Sequence, residues 1–68
     1  MGENDHELTQ AEREVLVAEI RKEGSNLEKV AGASGASELA LAKAAAGIPC
    51  QKGTIALARI YVAKCVGG

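Results

Sequence analysis

The chain predicts a small all-α bundle of about four helices, and three observations carry that prediction. Tyr61 is the only aromatic residue and thirteen of the 68 residues are Ala, so the core has to be built from Leu, Ile, Val and Ala on closely packed helices. Apolar residues recur at helical spacing behind capping residues. No turn pair flanked by alternating apolar runs signals a hairpin.

The first helix opens at Thr9. Thr9 and Glu12 have the spacing of a capping box, in which the hydroxyl takes a free backbone N–H and the carboxylate reaches back. Val15, Leu16 and Ile20 form its apolar stripe, with Val17 and Ala18 at the edges. Arg21 and Lys22 sit at the dipole's negative end, and Gly24 suits a C-terminal stop. Ser25 and Glu28 offer a second capping box for a short helix over 27–33, with Leu27, Val30 and Ala31 apolar. Gly35 interrupts. Ser37 is a favourable N-cap for a third helix over 37–46, rich in Ala and closed by Gly47 and Pro49.

The last segment, 54–66, reads two ways. Thr54 can cap a helix with Ile55, Ala58, Val62 and Cys65 on one stripe and Leu57, Tyr61 and Lys64 beside it. Ile55, Ile60, Tyr61 and Val62 also suit a strand. Length favours the helix, and a lone strand here has no evident partner. The run Ala-Gly-Ala-Ser-Gly-Ala-Ser at 31–37 has a linker's composition, but capped helical patterns flank it closely on both sides. The expected organisation is a disordered acidic N-terminus over 1–8, one domain over 9–66 and a flexible tail at 67–68.

Composition narrows the function classes. No apolar run approaches the ~18 residues of a membrane span, and the acidic start lacks the basic segment of a secretory signal, so a cytoplasmic protein without a membrane partner is expected. Cys50 and Cys65 read as reduced, small apolar residues. His6 is the only histidine and lies in the acidic N-terminal segment, so neither a metal nor another cofactor is expected. There is no Ser-His-Asp set, no glycine-rich phosphate cradle and no pair of carboxylates on an ordered surface. The sequence points away from an enzyme, and no small-molecule substrate is evident.

Charge is divided unevenly. Residues 1–23 hold seven acids and three bases; residues 24–68 hold two acids and five bases. The overall charge of −1 therefore sums an acidic third and a basic remainder. The basic part contains the most informative stretch, 27–47. Two short helices meet there across a tight turn. Ala31 has to be small where the helices nearly touch, and Gly35 supplies the positive φ of a sharp turn. Val30, Leu41 and Ala44 fill the angle between the helices, and Ser37 caps the second one.

This spacing resembles the helix-turn-helix of the Cro-type and lac-repressor-type families of bacterial and phage repressors. The matching residues are Val30, Ala31, Gly35, Ala36, Ser37, Leu41, Ala44 and Gly47. Two departures are visible: Ser34 stands where an apolar residue is usual, and the helix over 37–46 is less polar than the family's recognition helix. The resemblance implies a sequence-specific regulator of transcription whose partner is double-stranded DNA. The helix over 37–46 would enter the major groove, with Ser37, Glu38, Leu39, Ala42 and Lys43 at the base edges. Ser25, Asn26, Gln51, Lys52 and Thr54 would hold phosphates, with Lys29 and Arg59 as lesser candidates. A homodimer is implied, and the apolar surface at Ile60, Tyr61 and Val62 is the expected interface. The rival reading is a small acidic helical protein-interaction module that binds a regulator rather than DNA.

Overall fold

Residues 5–67 are described by the computed structural model. They form four helices: α1 (Gln10–Arg21), α2 (Leu27–Ser34), α3 (Glu38–Ala45) and α4 (Lys52–Gly67). The fold is all-α, and each helix touches the other three.

Caps and glycines set the boundaries. Thr9 Oγ1 accepts from the Glu12 N–H at 3.2 Å, and the Thr9 N–H donates to Glu12 Oε1 at 2.8 Å, completing the expected capping box. After α1 the chain turns through a bond from the Ser25 N–H to the Lys22 carbonyl at 2.9 Å. Gly24, at φ +80, occupies the third position of that turn rather than the helix stop itself. The second capping box is corrected. Asn26, not Ser25, is the N-cap of α2, and its Oδ1 accepts from the Lys29 N–H at 2.9 Å. Because α2 starts at Leu27, the Ser25–Glu28 pair is one residue out of phase.

Gly35 ends α2 at φ +86, its N–H donating to the Ala31 carbonyl at 2.9 Å. Ser37 caps α3 by accepting from the Ala40 N–H. At the far end, the Ile48 N–H reaches the Lys43 carbonyl at 2.9 Å and the Gly47 N–H reaches the Ala44 carbonyl at 3.1 Å. This is the Schellman arrangement, with Gly47 at φ +83. The Arg13 guanidinium covers Gly47 so closely that a Cβ there would lie 2.9 Å from Nη1.

The last segment is a helix throughout. It begins two residues before Thr54, because the Ile55 N–H already donates to the Gln51 carbonyl. Helix also extends to Gly67, so the expected tail does not include that residue; Gly68 lies outside the described residues.

The core is Leu8, Leu16, Val30, Ala31, Leu41, Ala44, Ile55, Ala58 and Val62. Two consequences contradict the sequence reading. Leu8 is buried, so the expected disorder does not hold for the residues just before α1; residues 1–4 lie outside the described residues. Val62 is 6% exposed and belongs to the core, so it is not available for a dimer interface. Of the row that helical spacing predicted, Ile55, Ala58 and Val62 are buried, whereas Cys65 at its end is only half-buried.

One ion pair staples α1 to α4. Arg59 Nε lies 3.2 Å from both Glu12 carboxylate oxygens, and Arg59 Nη2 donates to the Glu7 carbonyl at 3.1 Å. Partial burial pushes the Glu12 carboxyl up, but the Thr9 N–H, the Arg59 guanidinium and the Thr9 hydroxyl outweigh it and hold the group below the ordinary value of 4.5. Arg59 is thus occupied inside the fold, which removes it from the phosphate candidates. Tyr61 packs half-buried beside the core. Burial pushes its hydroxyl up, with the neighbouring Cys65 thiol and the Glu19 charge acting in the same direction.

Candidate functional site

The unit α2–turn–α3 is built from inside out. Val30, Ala31, Leu41 and Ala44 are all buried between the two helices and the α1–α4 base. Ser34 Oγ donates to the Ala31 carbonyl at 3.1 Å and accepts from the Ala36 N–H at 3.4 Å, bracing the turn. This accounts for a serine where an apolar residue is usual: its hydroxyl gives the Ala36 N–H a partner and adds a second bond to the Ala31 carbonyl, which already accepts from the Gly35 N–H.

With Leu41 and Ala44 turned inward, α3 presents Glu38, Leu39 and Lys43 outward. Leu39 is 68% exposed. Ala42, expected on the outer surface, is half-buried. Ser37 is exposed, although its Oγ is engaged in capping.

An open groove of about 500 Å³ runs along this side of α3. It gathers Ser37, Leu39 and Lys43 from the predicted base-contact set and Gln51 and Thr54 from the predicted phosphate set. Lys52 is exposed next to Gln51 at the start of α4. Ser25 and Asn26 are not part of the groove; they lie at the start of α2, where the Asn26 side chain is committed to its cap. The Lys29 ammonium donates to the Gly24 carbonyl at 2.9 Å and remains exposed.

Four further lining residues escaped the sequence reading: His6, Ala40, Pro49 and Cys50. His6 is held against the α3–α4 connection. The Cys50 N–H donates to the His6 carbonyl at 2.7 Å, and His6 Nδ1 lies 2.9 Å from the Cys50 carbonyl oxygen. The Cys50 thiol faces the Ile48 carbonyl at 3.2 Å and the Ala40 carbonyl at 3.7 Å. A sequence clue to this arm exists in Leu8. It is the one large apolar residue between Met1 and the capping box, and it is buried in the core.

On α4, Ile60 is 55% exposed, Tyr61 is half-buried and Val62 is inside. Of the three residues expected at a dimer interface, Ile60 alone presents a large free apolar surface; Leu57 and Val66 are further exposed apolar residues of the same helix. Both cysteines are free thiols. Among the described residues no cluster of His, Cys, Asp or Glu is arranged to hold a metal ion. No helix there is long and apolar enough to cross a membrane. No protein-family model, curated protein or solved structure matches the chain.

Proposed function

We propose that this protein is a non-enzymatic, sequence-specific DNA-binding regulator of transcription that acts in the cytoplasm and inserts α3 into the major groove. The observation that carries the reading is the α2–turn–α3 unit: a glycine-stopped helix, a serine-capped second helix, and an outward face left free for a partner. Lys43 donates to guanine or to phosphate, Leu39 meets a thymine methyl, and Glu38 accepts from cytosine N4. Gln51, Lys52 and Thr54 hold the sugar-phosphate backbone beside the groove. Two copies, joined through the Ile60 side of α4, would read half-sites one DNA turn apart.

The exposed Leu39 and Ile48 favour the rival, a protein partner with an apolar surface. Titration with salt separates the two. Binding to random duplex at ~50 mM salt should weaken steeply as salt rises, because phosphate contacts release counterions. Selection from a random duplex pool should then yield a preferred site with two half-sites. Lys43→Ala should lower affinity for that site without unfolding the chain. Absence of duplex binding at micromolar protein would falsify the DNA reading and leave the protein partner.

A further inference from the structure

The groove beside α3 holds the chain's only histidine. His6 is exposed and lines the groove with Lys43, Gln51 and Thr54. Its place is fixed at two points. The Cys50 N–H donates to the His6 carbonyl at 2.7 Å, and His6 Nδ1 lies 2.9 Å from the Cys50 carbonyl oxygen. A carbonyl oxygen only accepts, so Nδ1 carries a proton and Nε2 is the nitrogen that gains one in acid. The imidazolium keeps its Nδ1 proton, so the ring changes charge without giving up its bond to Cys50. The surroundings are simple. From α3, Lys43 is the one other charged residue in the lining, and no carboxylate belongs to it. Cys50 turns its thiol toward the Ile48 and Ala40 carbonyls. The start of α4 adds the neutral Gln51 and Thr54, with Lys52 exposed beside them. Asp5 and Glu7 adjoin His6 in the chain, and neither lines the groove.

From this placement we infer that His6 is a proton-linked phosphate contact, which adds a second positive charge to the groove beside Lys43 and strengthens duplex binding as pH falls. The proposal rests on the DNA-binding reading and names a further contact of that same surface. An imidazole gains its charge between about pH 8 and pH 5, and the clasp on Cys50 holds that charge in one place. A cation there neutralises phosphate and releases a counterion. Phosphate contacts carry no sequence information, so random and specific duplex gain alike. The coupling is reciprocal: a bound duplex makes the ring hold its proton more tightly.

The test removes the titration and keeps the clasp. In His6→Asn the side-chain amide can donate to the Cys50 carbonyl in place of Nδ1, and His6→Gln supplies a second neutral form. The main-chain bond from the Cys50 N–H is available to both. Binding of wild type and both variants to a random duplex is measured by fluorescence anisotropy over a range of salt at about pH 7.5 and about pH 5.5. Wild type should gain about three- to tenfold at ~50 mM salt on acidification, and its salt dependence should steepen by about one phosphate contact. Both variants should show an affinity and a salt dependence that hardly change with pH. In an NMR titration, the wild-type imidazole should keep its proton to higher pH when duplex is present. An affinity of wild type that does not change with pH, or a gain that survives in His6→Asn and His6→Gln, would overturn the proton-linked contact and leave DNA binding intact. If no form of the protein binds duplex at either pH, the contact and the DNA reading fall together.

Discussion

The two connections on either side of α3 are held by different kinds of force. The α2–α3 turn is local: Gly35 at φ +86, the Ser37 cap and the Ser34 bridge lie within four residues of one another. The α3–α4 connection leaves α3 through an equally local Schellman stop, but its later part is held from a distance. Cys50 is bonded to His6, 44 residues away, and the start of α1 is bonded to Arg59 of α4 across 47 residues. One side of α3 is shaped by its own sequence. The other takes its shape only when the rest of the chain has folded.

The contrast breaks hardest at Ala31. This residue is buried where α2 and α3 meet, and Ala31→Leu has to displace well-packed neighbours. A loss of about 1–3 kcal/mol is expected in urea unfolding. Wild-type stability in that variant would mean the two helices are not in close contact there.

The next effect concerns which residue starts the local unit. Asn26→Ala should cost about 1 kcal/mol through loss of the cap. Ser25→Ala, whose hydroxyl does not supply that cap, should cost at most a few tenths. Equal losses would return the cap to Ser25 and shift the start of α2.

The smallest effect probes the distant side by pH. Glu12 has a folded pKa below its ordinary 4.5, so its ionised form stabilises the fold. That contribution is fully present above 4.5 and is lost as pH falls through the lower folded value. The stability difference between wild type and Glu12→Gln should therefore be flat near neutral pH and shrink only on acidification below about 4.5. A difference that persists unchanged down to pH 2 would place the effect of Glu12 in packing, not in its charge.

The same division explains what could be read from the sequence. Thr9, Ser37, Gly35 and Gly47 announce their roles because a cap or a left-handed position depends on residues within one turn. The inward row of α4 is legible for the same reason. What the sequence hid is mostly non-local. Nothing near His6 or Cys50 in the chain marks them as partners, and Arg59 looks like any surface cation until Glu12 is brought beside it. Val62 suits core and interface alike, because both demand an apolar residue; only the packing of α4 against its neighbours decides. The cap of α2 is a matter of phase: Ser25 and Asn26 are both good caps, and the start at Leu27 selects Asn26. Of the candidate site, Lys43, Leu39, Gln51 and Thr54 converge on one groove, whereas Ser25 and Asn26 remain apart from it.

The alanine content of α3 has a consequence for the thermodynamics of any encounter on its outer face. Half of its eight residues are Ala, and an alanine side chain has no rotamers to lose. The helix is also closed at both ends, by the Ser37 cap and the Gly47 stop. A partner docking there would have to immobilise only Glu38, Leu39 and Lys43 on α3, so this helix's own share of the ordering penalty is confined to three side chains. Calorimetry of such binding should show a small unfavourable entropy from ordering, in contrast to segments that fold as they bind.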